Sequence, residues 1–448
     1  MAVLREMKAV RENVGLWMRE DYTVLQFSGN DAGTWLHTQT TNEVKALTSG
    51  HGNLQAILDR QGRVQAYFSL HRWEDEYWAI IEKAQLPALL ARVESHLIME
   101  DVTVEEVGKD SPQILLEGPR AAVLLANQHG DPLEAAHQLP TQDYAFSPIR
   151  LLDHDVLLFR QGESGEDGFL LLPGPGEAQT LFEKLEDVGV DFAVELIGSE
   201  ARATLQLESG LPRWGQGIDE TRIVVETPLA QSAISYEKGC YLGQEVVARL
   251  KAYGTPKQQL VALLLPDDGS PLPQDGDALH EGEKRVGTLV RIGYAPTLSH
   301  WLAWAYMDRD HRVSGTSYSL RPASSEHVVG ATLKHFPAWE AATRRENAER
   351  FYNEALGHFE ADYDDEKDTA IELLMESLVL APNFEDAYEA LGVILHRHHR
   401  VDEAILFMKK LAALNPNCVM AHTNLSVFYM SQGMIQEAED EKALANQL

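Results

Sequence analysis

Between Tyr22 and Phe27 the chain reads Tyr-Thr-Val-Leu-Gln-Phe, an alternating run rich in β-branched and aromatic residues that predicts a strand. Asp31 follows as the N-cap of a helix running through Trp35 and Leu36. Leu54 to Leu58, Val64 to Leu70 and Trp78 to Ile81 read as three further strands, the first two joined by a turn at Asp59-Arg60-Gln61-Gly62. Leu86 to Leu97 is amphipathic at helical spacing, with Pro87 placed for a first turn. Mixed runs of this kind predict an α+β body over residues 1–254. After Gly254 the pattern changes to short strands broken by glycine and proline: Leu260 to Leu265, Arg285 to Ile292 and Trp301 to Met307. A small antiparallel β-barrel over 255–335 is expected, then a linker at 336–350.

The last hundred residues repeat. Pro382 and Pro416 sit 34 positions apart in matching contexts, Leu-Ala-Pro-Asn and Leu-Asn-Pro-Asn. Tyr388, Leu391, Gly392 and Ala404 fall where the tetratricopeptide (TPR) pattern places W/Y, L, G and A, and Leu425, Tyr429 and Ala438 follow in the next unit. A looser first unit offers Tyr352, Ala355, Leu356, Phe359 and Ala370, with an acidic insertion from Asp362 to Asp368. Three TPR-like repeats over 351–448 are therefore expected, an all-α solenoid whose stacked units share a core. Such an array either recruits a partner or docks on the preceding domains.

Charge narrows the function. The formal balance is 38 − 69 = −31, and residues 345–448 alone hold 20 acids against 8 bases. That sign opposes direct nucleic-acid contact and anionic membranes, and it suits a basic partner on the repeats. Two cysteines, Cys240 and Cys418, lie 178 positions apart without metal-ligand spacing, as expected in a reducing cytoplasm. His396, His398, His399 and Arg400 cluster at a helix turn without partner ligands, so no metal site is expected.

The chemistry concentrates in Lys238-Gly239-Cys240-Tyr241-Leu242-Gly243-Gln244-Glu245, just before an apolar-periodic helix (Val246, Val247, Leu250). Flanking glycines permit a sharp turn and a close approach. A thiol near a lysine and a helix N-terminus is biased toward thiolate, although a small cysteine packed inside a turn has the same sequence.

This octapeptide resembles the K-G-C-Y-x-G-Q-E hallmark of the YgfZ-type branch of the glycine-cleavage T-protein superfamily. Ordered companions extend the resemblance over roughly residues 20–310: Trp35 to Val44, Leu58 to Val64, Glu117-Gly118-Pro119, Gly165 to Phe169, Glu208 to Gly215, Gly287-Thr288 and Tyr294-Ala295-Pro296. The TPR appendage lies outside the usual family pattern. The resemblance implies a T-protein-like, folate-binding (GcvT-like, aminomethyltransferase) fold with tetrahydrofolate or a one-carbon derivative as cofactor. It also implies a role in iron–sulfur cluster assembly or repair, through which tRNA modification would be affected indirectly. Cys240 becomes the functional thiol, with Lys238 tuning it or meeting an anion. Asn42, Glu166, Tyr241, Gln244, Glu245 and Arg249 become the cofactor-binding candidates, and Arg249 suits a folate carboxylate. Asn42 equally suits a turn, Tyr241 a packed wall, and Arg249 an exposed helix face.

Two departures separate the chain from the transferases. Where those carry acids just after the Gly-Arg turn, this chain has Gly62-Arg63-Val64-Gln65-Ala66-Tyr67-Phe68. Where they carry the pterin-holding glutamate, it has Leu170. Amine chemistry needs a base within hydrogen-bond reach, so classical turnover is not expected. The competing readings are a tetrahydrofolate-dependent one-carbon transferase or demethylase, and a TPR scaffold on a relic folate fold.

Overall fold

The computed structural model describes residues 2–448 apart from 110, 129, 253, 255, 314, 322–327, 335 and 360–363; for 359 and 364–367 it describes the backbone only. Asp362 and the side chain of Phe359 thus lie outside the described residues. The chain forms two compact units. One holds residues 1–118 and 140–341, the other 119–139 and 342–448.

The first unit contains two large sheets, a two-stranded ladder of Arg213–Trp214 with Gly217–Ile218, and a barrel. The five-stranded antiparallel sheet runs His51–Leu58, Val64–Trp73, Glu76–Glu82, Tyr22–Ser28, Thr103–Glu106 in spatial order. Its register pairs Leu25 with Ala79 and Ala56 with Tyr67. Strand Tyr22–Ser28 buries residues on both faces, with Leu25 and Phe27 packing on Trp35, Phe68 and Leu70 and Val24 on Trp17 and Ile80. The helix after it is Ala32–Gln39 with Asp31 at the N-cap, but the Asp31 carboxylate accepts the Asp101 amide (2.8 Å) in place of a helix N–H.

The six-stranded sheet runs Val194–Leu196, Val14–Arg19, Gln113–Glu117, Gly168–Pro173, His154–Phe159, Phe146–Leu151. Its central strands Gln113–Glu117 and Gly168–Pro173 are buried throughout, which explains why they read as continuous apolar runs rather than alternations.

Strands Gln258–Leu265, His300–Asp308, Lys284–Ala295, Ala278–Glu281, Ser317–Arg321 and Val329–Lys334 close into a barrel around Leu263, Val286, Leu289 and Met307. Trp304 and Tyr306 leave its outer face and donate to the Leu207 and Gly217 carbonyls (3.2 and 2.8 Å), fixing barrel to body. From 336–350, Trp339 stays with the body, its amide donating to the Glu208 carbonyl (2.9 Å), while 344–350 already belong to helix Arg344–Phe359.

In the second unit, helices Arg344–Phe359, Asp364–Leu380, Glu385–Arg397, Val401–Leu414, Val419–Ser431 and Ile435–Ala445 pack as consecutive pairs. Pro382 and Pro416 fall in equivalent four-residue gaps between pairs. Gly392 allows close approach: a Cβ there would lie 2.3 Å from the Met408 methyl. His396 stacks on Phe428 with ring centroids 4.4 Å apart, an aromatic packing role. The segment 119–139 adds helices Ala121–Asn127 and Pro132–Ala136, whose apolar residues pack on Asp364–Leu380. Arg120 forks onto half-buried Glu376 with two 2.8 Å bonds, a bidentate geometry that compensates a partly desolvated carboxylate.

Candidate functional site

The octapeptide forms a turn wedged between two segments of the body. Thr41 Oγ1 donates to the Ala233 carbonyl, and Ser235 N donates to the Thr41 carbonyl (3.0 Å), so residues 232–238 run beside 40–42. Lys238 closes the arrangement. Its ammonium is buried and donates to the carbonyls of Thr40 (2.8 Å) and Asn42 (2.6 Å). Burial pushes its pKa down to about 8, against the pull of Glu43 and with a small push from Lys45. The amine thus anchors the turn through backbone acceptors.

Gly243 has φ +86° and a Cβ there would lie 2.5 Å from the Asp59 carbonyl oxygen. This close approach packs the octapeptide on the Asp59–Gly62 turn, and only glycine accommodates both the conformation and the contact. Tyr241 and Val247 then bury against Ala56, Leu58, Val64 and Val224, so Tyr241 is a wall residue. Helix Gln244–Ala252 carries Glu245 and Arg249 on its exposed side, and Gln244 Nε2 reaches back to the Gly239 carbonyl (3.4 Å). Cys240 is left exposed and unpaired with any other cysteine.

His37 completes this rim. It is buried, its Nε2 would lie 3.8 Å from a Cβ on Gly239, and its Nδ1 is 3.3 Å from Glu43 Oε1. Burial and the Lys238 charge lower its pKa, so the ring is neutral at pH 7. Sequence reasoning passed over it because a single histidine on a helix reads as packing.

Other candidates are engaged elsewhere. Asn42 Nδ2 donates to the Leu54 and Ser232 carbonyls (both 3.0 Å) and its Oδ1 accepts Glu43 N (2.9 Å), ordering the loop. Glu166 is buried and accepts from Arg11 (2.8 Å) and from Trp339 Nε1 (3.1 Å); Arg11 also meets Glu208 (3.1 Å). Asn42 and Glu166 are not brought together. Ala66 and Leu170 are both fully buried, Leu170 between Leu115 and Phe159, so neither place offers a polar group.

The densest polar chemistry lies mostly outside the motifs, with Arg213 falling within the Glu208 to Gly215 stretch. Arg19, at the end of strand Val14–Arg19, is fully buried and donates to Gln113 Oε1 (2.9 Å) and Glu163 (2.7 Å), with its guanidinium 3.6 Å above the Tyr22 ring. Glu163 also accepts from Arg202 (2.8 Å) and Gln206 (3.0 Å). Arg213 bridges Asp21 and Glu82, the latter at 2.8 Å. Tyr67 donates its hydroxyl to the Pro212 carbonyl (2.9 Å). Despite burial, the guanidiniums hold Asp21 and Glu163 below the usual carboxylate range. Gln113 Nε2 and Arg213 Nε are buried donors without a hydrogen-bond acceptor. A buried, unsatisfied donor is costly, so the cluster is suited to a polar ligand that supplies acceptors. One signal was available: Arg202 and Gln206 stand four residues apart on one face of helix Ser199–Ser209, beside its buried Ala201 and Leu205.

A two-sheet body fixed to a six-stranded barrel is the class of fold seen in aminomethyltransferases of the glycine cleavage system. The structure superposes on aminomethyltransferase T of the glycine cleavage system from Bartonella henselae with a TM-score of 0.65, covering 76% of this chain and 90% of that one at 24% identity, a likeness of fold. Residues 1–238 match the GCVT N-terminal domain and residues 258–336 the glycine cleavage T-protein C-terminal barrel domain, so the chain belongs to the glycine cleavage T-protein family. It is 28% identical over 316 residues to an aminomethyltransferase of Halalkalibacterium halodurans, spanning 70% of this chain and 84% of the relative. It is 26% identical over 317 residues to that of Bacillus subtilis, spanning 70% and 85%. Tetrahydrofolate is the cofactor of this family. Among the described residues, no group of three or more His, Cys, Asp or Glu is gathered to hold a metal, and no helix is long and apolar enough to cross a membrane.

Proposed function

We propose that the protein binds folate without classical aminomethyl turnover and supports iron–sulfur cluster assembly or repair, with Cys240 as its functional thiol. The observation that carries this reading is the contrast within the body. Cys240 is exposed on a turn whose geometry is held by Lys238 and Gly243, while Ala66 and Leu170 leave the amine-handling and pterin-holding places buried and apolar.

The residues present fit a folate. The unpaired donors Gln113 Nε2 and Arg213 Nε, beside Arg19 and Arg202, would hold its polar edges and carboxylates. Arg249, exposed on its helix, is available for an anionic tail. When bound, the folate supplies a one-carbon carrier. The C-terminal helices act as TPR-like repeats that recruit a basic protein partner in the cytoplasm, a reading supported by the 34-residue period and the acidic balance of 345–448.

The test is calorimetric titration of tetrahydrofolate and its methyl and formyl forms into the protein, wild type beside Arg213→Gln and Arg249→Ala. Saturable binding weakened by Arg213→Gln is expected. In cells, Cys240→Ser should lower iron–sulfur enzyme activities; unchanged activities would remove the thiol from the mechanism. A second reading, aminomethyl transfer, is favoured by the relatives named above. Against it, Asp21 and Glu163 are held ionised by arginines and are therefore weak bases. Turnover of a methylated amine with tetrahydrofolate would restore it.

A further inference from the structure

A cavity of about 360 Å³ opens where the barrel strand Gln258–Leu265 meets Arg309, Arg312, Leu333, Lys334 and Phe336. Its charged lining is Arg309, Arg312 and Lys334, and among the described residues no carboxylate lines it. Two amide side chains, Gln231 and Gln259, add polar capacity; Leu260, Val261, Leu333 and Phe336 form its apolar floor. In a chain with a net charge of −31, three cations converging on one concavity run against the overall sign.

The cations are partly built in. Arg312 donates to Gln259 Oε1, to the Pro256 carbonyl (3.1 Å) and to the Arg309 carbonyl (3.5 Å), all neutral acceptors that orient the guanidinium without cancelling its charge. Burial and the neighbouring Arg309 charge lower its pKa, with Asp310, Asp308 and Glu226 opposing from outside the lining. Of these acids, Asp308 accepts from Gln258 (3.1 Å), and Asp310 lies 3.7 Å from Arg309 on the exposed side. The concavity therefore keeps a local excess of positive charge. A small anion entering it would relieve the repulsion between the two guanidiniums and meet donors arranged for oxygen acceptors.

We infer that this barrel cavity is a binding site for a small multiply charged anion, a phosphate or carboxylate group attached to a compact apolar body. Two guanidiniums and an ammonium match more than one negative charge, and the apolar floor accommodates the rest of the ligand. The site is separate in residues from the Arg19–Glu163–Arg202–Arg213 centre and does not depend on how that centre is used.

The experiment titrates inorganic pyrophosphate and, separately, citrate into the full-length protein at physiological ionic strength, by calorimetry and by thermal melting. Saturable one-to-one binding of either is expected; pyrophosphate binding alone assigns phosphate, and citrate binding alone assigns carboxylate. Lys334→Glu and Arg309→Glu, which leave the backbone acceptors of Arg312 in place, should each weaken binding at least about tenfold, and Arg213→Gln should leave it unchanged. Matched melting curves without ligand show that the variants fold. The inference is overturned if neither anion binds saturably, if both cavity variants bind like wild type, or if sodium chloride at equal ionic strength reproduces the melting shift.

Discussion

The buried centre around Arg19 and the turn carrying Cys240 belong to the same body yet place their polar groups in opposite settings. In the centre, three guanidiniums face three carboxylates, buried around Arg19 and Glu163 and half-buried at Asp21 and Arg213, so every charge depends on its neighbours. On the turn, a single buried amine satisfied by backbone carbonyls holds the loop, and the thiol beyond it faces solvent. Structural pairing and solvent access are therefore separated here. Substitution should be costly in the buried centre and nearly free at the exposed thiol.

The largest expected effect comes from the centre. Arg19→Met removes the guanidinium that donates to Gln113 Oε1 and to Glu163 Oε1, leaving Glu163 with Arg202 and Gln206, and should destabilise the fold by about 3–5 kcal/mol, measured by urea unfolding. A loss below about 1 kcal/mol would show that the network is wetter than its burial indicates. Next, Gly243→Ala forces a side chain into a left-handed conformation and onto the Asp59 carbonyl, with an expected cost of roughly 1–3 kcal/mol. If the variant were as stable as wild type, the turn-to-turn packing would be wrong.

Acid sharpens the contrast through sign. Asp21 and Glu163 titrate below their unfolded values, so the stability they contribute is complete above about pH 4.5 and is lost as pH falls through their lowered folded values. Glu117 acts the other way: burial raises it to about 7, so its contribution is complete below its unfolded value and is lost as pH rises toward 7. Melting temperatures across pH should therefore fall below pH 4.5 less steeply in Glu163→Gln than in wild type, while Glu117→Gln should flatten the change between about pH 4.5 and 7. The smallest effect belongs to Cys240→Ser, which should stay within about 0.5 kcal/mol of wild type. It should also abolish the fast phase of native-state thiol modification. A persistent fast phase would assign the accessible thiol to Cys418.

Strands, barrel and the glycine-bounded turn were legible because each is written in local spacing: an alternation, a Gly-Pro punctuation, or two glycines around a cysteine. The central network was not. Arg19, Glu82, Glu163, Arg202 and Arg213 come from five separate stretches, and each alone reads as an ordinary surface charge. Only the long-range packing of two sheets and helix Ser199–Ser209 gathers them. Asn42 and Glu166 were conspicuous for the opposite reason: their local motifs are sharp, but the structure spends their hydrogen bonds on a loop and an internal ion pair. The run Ala121 to Ala126 likewise reads as one more core helix, and nothing within it tells which core.

That last helix has a consequence for biosynthesis. Residues 119–139 leave the ribosome 203 positions ahead of the first residue, Ala342, of the segment that completes their unit. At 5–20 residues per second, this is roughly 10–40 s of waiting with an apolar surface uncovered. A nascent chain paused in that interval carries an exposed Ala-Ala-Val-Leu-Leu-Ala stretch and is a natural client for a chaperone. For the same reason, a truncated chain ending before Ala342 would leave those helices permanently without their partners.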